Sequence, residues 1–291
     1  MKRAALIGLI LGCATWMSAQ ANPKPSTPGQ SSAPAGAQAS APPQGKRPPQ
    51  AKTQPEYEAY QKAVALTDAA AAEKAADDFA AKFPDSELRV MLYKSTMRLY
   101  QRAGDSDKTM ETGRKGLGLD GDDPELLVTV ANELAEKTRD TDLDKDQRLD
   151  EAMKMAQKAT QTVDTDVSIP PGTPQDQVDA YKGQLRSFAY SIMGTIEFKK
   201  DKFPDAETDL RKSIDAFPSQ PDPVVVLRLA ISLDRQSKYP EALKEANHAV
   251  ELTQEGTNAG KLARQERDRL NQLVGGGATP PKPASEQQPK N

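Results

Sequence analysis

A run of acidic residues lies between two helical patterns in the middle of the chain. Residues 140–151 place an acid at the first, third, fifth, seventh and twelfth positions, namely Asp140, Asp142, Asp144, Asp146 and Glu151. Twelve-residue calcium loops take oxygen ligands at this spacing, but they need glycine at the sixth position for a sharp turn. Lys145 stands there instead and brings a repelling charge. The stretch therefore predicts a loop that caps a helix beginning near Gln147 in preference to a calcium site, and the sequence leaves open whether residues 140–151 bind a cation.

A glycine-rich stretch suggests a second kind of chemistry, the binding of a dinucleotide pyrophosphate. Gly116, Gly118 and Gly121 have the G-x-G-x-x-G spacing, which in its functional form follows a strand and opens a helix. Here the glycines end a helical pattern and lead into Asp122-Asp123, whose charge would repel phosphate. We interpret them as a helix end in which glycine takes the left-handed conformation, and we predict no cofactor.

Acid–base or nucleophilic catalysis would need a base within reach of the group that it activates. The single histidine, His248, has Glu245 and Glu251 one helical turn to either side. No serine, threonine or cysteine lies within a helical turn of it. Carboxylate pairs such as Asp122-Asp123 lie in turns, where they cap helices. The sequence therefore predicts a protein that is not an enzyme and has no catalytic residues.

The elements that carry these residues repeat along the chain. Lys202-Phe203-Pro204-Asp205-Ala206 recurs 36 residues later as Lys238-Tyr239-Pro240-Glu241-Ala242. An apolar helical run precedes and follows each block, so one period holds two helices joined by a short turn. This arrangement predicts an all-α chain of stacked helix pairs.

The pattern resembles the tetratricopeptide repeat (TPR) family, in which a helix-turn-helix unit recurs about every 34 residues. In the first unit, the family positions are filled by Tyr190, Met193, Gly194, Ala206, Leu210 and Pro218. In the second, they are filled by Val226, Leu229, Ala230, Leu233, Ala242, Ala246 and Ala249. Departures from the family pattern occur at Glu197, Ser213 and Gln254. The resemblance implies an α–α superhelix that serves as a scaffold for binding other proteins.

Three more degenerate pairs precede these two units. We expect them at residues 55–84, 88–117 and 124–163, with a loop containing Pro170-Pro171-Gly172 before the fourth pair. A polar helix at 259–274 would cap the exposed face of the last repeat. The predicted repeat domain therefore spans residues 55–274.

The first 21 residues have the features of a secretory signal peptide. Lys2 and Arg3 precede a short apolar run, and small residues at Ala19 and Ala21 predict cleavage after Ala21. The run is too short for a stable membrane anchor. An alternative is lipid attachment at Cys13, the only cysteine of the chain, which would give a lipid-anchored envelope assembly or chaperone-like factor. Either route predicts an exported protein of the periplasm or cell surface.

Two low-complexity segments flank the predicted repeats. Residues 22–54 are rich in Pro, Ala, Gln, Ser and Gly, and residues 275–291 have a similar composition. Neither segment has enough apolar side chains to offset the entropy of ordering, so both are predicted to be disordered. Without residues 1–21, 37 basic and 42 acidic residues remain, a net charge of −5 with the signs interspersed. This distribution argues against a nucleic-acid partner.

In the TPR family the first helix of each pair lines a concave groove. The register of the repeats assigns seven residues of this chain to that groove: Lys94, Arg98, Arg102, Asn132, Glu136, Lys199 and Arg235. One hypothesis is that Lys94 and Arg98 hold the acidic end or C-terminal carboxylate of a peptide, while Asn132 engages its backbone. The other is that these are ordinary solvated helix charges. The sequence leaves both open, and it does not identify the partner or the oligomeric state.

Overall fold

The computed structural model describes residues 45–275. The predicted signal peptide, residues 22–44 of the predicted linker and residues 276–291 lie outside this range. Residues 45–275 form eleven α-helices and no β-strand, apart from one isolated parallel bridge between Lys46 and Ser168. The helices are α1 Gln54–Val64, α2 Ala69–Lys82, α3 Leu88–Ala103, α4 Ser106–Leu117, α5 Pro124–Lys137, α6 Lys145–Thr162, α7 Gln175–Lys199, α8 Phe203–Ala216, α9 Pro223–Arg235, α10 Tyr239–Glu251 and α11 Asn258–Val274.

Side-chain caps and prolines explain where most of these helices begin. In six helices the residue before the first turn accepts a backbone N–H bond through its side-chain oxygen: Thr53, Asp68, Asp105, Asp123, Asp222 and Thr257. Such a bond satisfies a donor that the helix itself cannot pair. A proline lies in the first turn of α1, α5, α8, α9 and α10, where its missing N–H costs nothing.

The helices pack as five successive pairs, α1–α2 to α9–α10, followed by α11. Each even-numbered helix contacts the odd-numbered helix before it, which is its partner, and the odd-numbered helix that follows. Odd-numbered helices also contact one another, as in α1–α3, α5–α7, α7–α9 and α9–α11, whereas no two even-numbered helices within residues 45–275 pack to that extent. The chain is therefore an all-α superhelix with the odd-numbered helices on its inner side. The last helix, α11, takes the place of a next first helix and caps the stack, as predicted.

Small residues allow the two helices of a pair to approach closely. Ala152, Ala156 and Ala159 on α6 are buried, as are Ala242, Ala246 and Ala249 on α10. A methyl group added at Gly194 on α7 would lie 2.7 Å from Cγ of Leu210 on α8. No side chain fits in that space. Gly194 and these alanines therefore allow the two helices of a pair to pack closely.

The turn inside three of the pairs has one shared geometry. Gly104, Asp201 and Ser237 each take a positive φ, between 56° and 75°, within two residues of the end of an odd-numbered helix. The next residue in each turn donates its N–H to a carbonyl five residues back, as Lys238 does to Leu233 at 3.0 Å. This is the bond of a left-handed helix end that satisfies an orphan carbonyl. Asp201 and Ser237 take this conformation with a side chain present, which is strained for any residue other than glycine.

Two helix boundaries differ from the sequence-based expectations. Helix α6 begins at Lys145 and not near Gln147, so residues 145–151 of the acidic stretch are already helical. Helix α4 ends within the glycine-rich stretch, as predicted, but Gly118 has a right-handed φ of −65°. The expected left-handed glycine is therefore absent from this helix end. Gly116 instead packs against Leu126, whose Cδ1 would lie 2.8 Å from an added Cβ.

The described residues that precede α1, which begins at Gln54, contact the helix pairs. Residues 45–53, which were assigned to the disordered linker, lie against the helix pairs and form backbone and side-chain hydrogen bonds with them. The linker prediction rested on the scarcity of apolar side chains in residues 22–54. Composition alone did not reveal that acidic partners lie on the surface of the repeats.

We expect opposite stability changes at the two equivalent turn positions Gly104 and Ser237. Gly104→Ala places a Cβ in a left-handed conformation and should lower the free energy of unfolding by about 1 kcal/mol, although nothing lies within 4 Å of that Cβ. Ser237→Gly removes the same strain and should raise the free energy by about 0.5–1 kcal/mol. Urea denaturation measures both changes.

Gly256→Ala provides the control, because Gly256 has no positive φ and its added Cβ has no neighbour within 4 Å. It should change the free energy of unfolding by less than about 0.5 kcal/mol. Destabilisation by Ser237→Gly would contradict the strain argument.

Candidate functional site

The inner side of the superhelix is formed by one face of each odd-numbered helix. On α3 this face carries Met91, Ser95, Arg98 and Arg102, none of which is fully buried. The opposite face of α3 carries Leu92, Tyr93 and Tyr100, which are buried. We refer to the open sides of α3, α5, α7 and α9 as the inner face. It is the surface to which the TPR register assigned the seven groove residues.

Lys94 and Arg98 on α3 are held by acids at the start of α5. Nζ of Lys94 lies 2.7 Å from Oδ2 of Asp123 and 3.0 Å from Oε2 of Glu125. The guanidinium of Arg98 forms two hydrogen bonds with Glu125, at 2.6 and 2.7 Å. Only 9% of the Lys94 side chain is exposed, against 51% for Arg98. The Lys94 ammonium, to which the sequence-based hypothesis assigned the binding of a peptide carboxylate, is therefore already neutralised within the fold.

A tyrosine from α7 completes this cluster. The hydroxyl of Tyr181 donates to Oε2 of Glu125 at 3.1 Å. Burial is the main cause that raises the pKa of the Tyr181 phenol, and the Glu125 charge adds to it, so the phenol stays protonated and can donate. Glu125 therefore joins three successive first helices, α3, α5 and α7, through one carboxylate.

Charge pairing fixes the protonation states in the cluster. Burial alone would raise the pKa of Glu125, but the charges of Lys94 and Arg98 outweigh burial and lower that pKa to about 2. Burial alone would lower the pKa of Lys94, but Glu125 and Asp123 outweigh it and raise that pKa. Glu125, Lys94 and Arg98 are therefore all charged at neutral pH. A buried pair of this kind is costly to break, because the remaining partner becomes an isolated buried charge.

Further along the inner face, Glu136 and Lys199 also have partners within the fold. Arg228 on α9 donates to Oε1 of Glu136 at 3.0 Å and to the hydroxyl of Thr195 at 2.8 Å. Nζ of Lys199 donates to the carbonyls of Ala135, close by, and of Thr138, at 3.0 Å. Lys199 thus satisfies carbonyls at the C-terminal end of α5, where a cation is also favoured by the helix dipole.

The remaining three predicted groove residues differ in their surroundings. The guanidinium of Arg235 stacks over the ring of Phe203, with 5.6 Å between the guanidinium carbon and the ring centroid, and so points toward α8. The Arg102 side chain is exposed at the end of α3, and Asn132 is half-buried on α5. Arg102 and Asn132 form no side-chain hydrogen bond or ion pair with another described residue. They are the predicted groove residues whose hydrogen-bonding groups remain open to a ligand.

Sequence reasoning did not identify Asp123, Glu125, Tyr181 or Arg228 as members of the inner face. Asp123-Pro124-Glu125 was interpreted as a helix start, which is correct, since Asp123 caps α5. The acids at the start of α5 pair with bases on α3, the preceding first helix. This pairing cannot be inferred until the two helices are known to be neighbours. Another buried ion pair joins α9 and α11, where Arg269 of α11 pairs with Asp234 near the end of α9 and with Glu266 of its own helix.

The acidic stretch 140–151 does not bring its carboxylates together. Oδ1 of Asp140 pairs with Nζ of Lys145 at 2.8 Å, and Oδ2 of Asp142 accepts the backbone N–H of Arg139 at 2.8 Å. Because α6 begins at Lys145, Asp146 and Glu151 are helical residues and cannot fold back over a loop. Within residues 45–275, no cluster of three or more His, Cys, Asp or Glu side chains could hold a metal ion.

Three further features complete the description of residues 45–275. An open cleft of about 660 Å³ lies between α1, α3 and residues 48–54, and its lining includes Tyr57, Tyr60, Leu88 and Met91. Nδ1 of His248 lies 3.8 Å from a carboxylate oxygen of Glu245 on the same helix. In the part of the chain that the structure describes, no helix is both long and apolar enough to cross a membrane.

We expect the Glu125 cluster to make stability depend on pH. The pKa of Glu125 is about 2 in the folded protein and about 4.3 in an unfolded chain. This difference corresponds to about 3 kcal/mol of folding free energy at neutral pH. This stabilisation is complete above about pH 5 and is lost as the pH falls toward 2. Glu125→Gln should therefore lower the free energy of unfolding by about 3 kcal/mol at pH 7, and this deficit should shrink as the pH approaches 2. Urea denaturation across this range measures it.

Asp78→Asn is the control for that experiment, because the Lys74–Asp78 pair is 2.6 Å long but well exposed. Its loss should change the free energy of unfolding by less than about 0.5 kcal/mol at any pH. A deficit of Glu125→Gln that is the same at pH 3 and pH 7 would contradict the assigned role of Glu125.

Comparison with solved structures supports the same architecture. PilF of Pseudomonas aeruginosa superposes with a TM-score of 0.50 and 17% sequence identity, over 77% of this chain and 96% of that chain. Acl4, an assembly chaperone of RpL4, gives a TM-score of 0.38 and 13% identity, over 76% of this chain and 99% of that chain. No protein-family model and no curated protein matches the sequence. The similarity to PilF concerns the fold alone, and with the helix pairing described above it gives this chain a TPR-like, all-α superhelical fold.

Proposed function

We propose that the protein is a non-enzymatic scaffold that binds another polypeptide on its inner face. The observation that carries the proposal is the state of that face. Ion pairs centred on Glu125 and Glu136 hold neighbouring first helices together, while Arg102 and Asn132 present hydrogen-bonding groups beside them. A surface that is held in place before binding loses less entropy when a ligand docks. This is how a scaffold can bind an extended or helical segment with few strong contacts.

The structure changes which residues we assign to recognition. Binding of an acidic peptide end by Lys94 and Arg98 lacks support, because Asp123 and Glu125 already neutralise them. We assign recognition to Asn132, whose amide can pair with both the N–H and the C=O of a peptide backbone, and to Arg102, which can donate to carbonyl oxygens. Lys199 and Arg228 are assigned to supporting the surface.

We propose that the scaffold is exported. The proposal rests on the sequence of residues 1–21, which has a basic start, a short apolar run and small residues at Ala19 and Ala21. The function would then be exercised in the periplasm or at the cell surface. Lipid attachment at Cys13 is the alternative and would make the protein a membrane-anchored assembly or chaperone-like factor.

The mass of the mature protein distinguishes these two routes. Cleavage after Ala21 gives a chain that begins at Asn22, and this is the result we expect. Lipid attachment instead gives a chain that begins at an acylated Cys13 and is nine residues longer, because residues 13–21 are retained. Intact-mass spectrometry of the protein purified from the envelope fraction reads out either product directly.

The binding proposal is tested by removing groups from the inner face without disturbing its ion pairs. The double substitution Arg102→Ala with Asn132→Ala should weaken the affinity for an envelope partner by roughly tenfold or more, because each lost hydrogen bond in a desolvated interface contributes about 1 kcal/mol or more. Partners are obtained by photo-crosslinking from a probe at position 95 on the inner face of α3, which leaves Arg102 and Asn132 in place, and affinities are measured by calorimetry.

The matched control is Lys154→Ala with Gln157→Ala on α6, which removes the same charge and the same amide from exposed positions of an even-numbered helix. It should leave affinity within about twofold. Equal losses in the two double variants would place binding away from the inner face. Lys94→Ala is unsuitable for this test, because it would leave Glu125 and Asp123 partly unpaired and would destabilise the fold.

A further inference from the structure

Residues 45–53 form an extended segment that crosses one edge of the superhelix. This edge is made of the loops that precede α3, α5 and α7, and we call it the docking edge. It presents four groups to the segment, namely the carboxylates of Glu87 and Asp120 and the carbonyls of Asp85 and Val167. The docking edge lies where the first helices begin and is distinct from Arg102 and Asn132, which lie farther along α3 and α5.

Each part of the segment contacts a different loop of the docking edge. The N–H of Lys46 donates to the carbonyl of Val167 at 3.0 Å, as part of the parallel bridge to Ser168. Nζ of Lys46 lies 2.7 Å from Oδ2 of Asp120. Lys46 thus contacts the loops that precede α5 and α7. The rest of the segment contacts the loop that precedes α3.

Glu87 binds the middle of the segment through both of its carboxylate oxygens. One oxygen accepts from Nη2 of Arg47 at 2.6 Å, and the other accepts the backbone N–H of Gln50 at 3.3 Å. Nζ of Lys52 then donates to the carbonyl of Asp85 at 2.7 Å. Pro48 and Pro49 lie between these contacts and line the cleft formed with Tyr57 and Met91. Backbone bonds, basic side chains and prolines therefore all contribute to the docking.

The exposure of these contacts indicates that another segment could displace residues 45–53 from the docking edge. The Arg47–Glu87 pair is 63% and 41% exposed and the Lys46–Asp120 pair is 44% and 16% exposed, so solvent and salt weaken both. The prolines favour an extended backbone before docking, which lowers the entropy lost on binding. Addition of an extended strand to exposed backbone groups, with specificity from side chains, is an established mode of peptide recognition.

We propose that the docking edge is a binding surface for an extended basic segment that contains prolines, and that residues 45–53 occupy it in cis. A partner carrying adjacent basic residues followed by prolines would bind there by displacing them. The partner class follows from charge complementarity with Glu87 and Asp120 and from the chemistry of the segment already seated on the edge. This surface is additional to the inner face, and its test does not depend on partner binding there.

The first test measures cis occupancy in the full chain by limited trypsin digestion. Lys24 and Arg47 each precede a proline, where trypsin does not cut, so cleavage after Lys46 and Lys52 reports on this segment. Glu87→Gln with Asp120→Asn should speed both cleavages at least fivefold, as should high salt in the unsubstituted chain. The control, Asp78→Asn with Asp107→Asn, removes two acids from exposed pairs elsewhere and should leave the rates unchanged.

A charge exchange keeps the first test decisive if a variant is less stable. Arg47→Glu alone should speed cleavage, and Arg47→Glu combined with Glu87→Arg should restore protection, which a general loss of stability would not do. Equal rates in the unsubstituted chain, the acid variant and the control would overturn cis docking. Circular dichroism of each variant verifies that the helices are retained.

The second test measures binding in trans. The probe is a fluorescent synthetic peptide of residues 45–53, titrated into the full chain carrying Lys46→Glu and Arg47→Glu to weaken the cis segment. We expect saturable binding, at least tenfold weaker binding to the unsubstituted chain, where the tethered segment competes at high effective concentration, and loss of binding when Glu87→Gln and Asp120→Asn are added. No binding to the Lys46→Glu, Arg47→Glu chain, or binding unaffected by the two acid substitutions, would overturn the proposal.

Discussion

Each helix pair of this chain can bury its apolar surface only against the neighbouring pairs. The apolar cores are accordingly distributed along the stack: one joins α5, α6 and α7, another joins α8, α9 and α10, and smaller ones lie at the beginning and end. In such an arrangement no single core holds the molecule together, and stability is set by the contacts between adjacent repeats. Polar contacts that cross from one repeat to the next therefore matter more here than they would in a globular domain.

The inner face supplies such contacts through charge. Glu125 links α3, α5 and α7, Arg228 links α5, α7 and α9, and Arg269 links α9 with α11. Because these groups are partly or fully buried, the pairs are screened little by salt and are costly to separate. The charges of the inner face are thus largely neutralised internally, and the proposed function assigns recognition to Asn132 and Arg102 instead. This explains how a chain with many basic residues on its first helices can still present a binding surface without a large excess of charge.

The docking edge has the opposite character. Its ion pairs are exposed, and its segment is held by one backbone bridge and a few side chains. The same cleft touches both regions, since Met91 of α3 and Pro48 of the segment line it together. The docking edge and the inner face therefore border one cleft.

The sequence by itself determined the helix pairs, their caps and the small residues between them, because these features depend on local rules of period, capping and side-chain size. The capping helix and the closely packed Gly194 follow from the same rules. The tertiary structure decided the fate of the charges. Whether Lys94 meets solvent or Glu125, and whether Lys199 faces a ligand or the end of α5, depends on which residues of the next repeat lie opposite. It also decided that residues 45–53 are docked, since their composition resembles a linker and their partners are more than thirty residues away in sequence. Local patterns specify elements, whereas the pairing of a charge depends on neighbours that only the stacking of the repeats brings together.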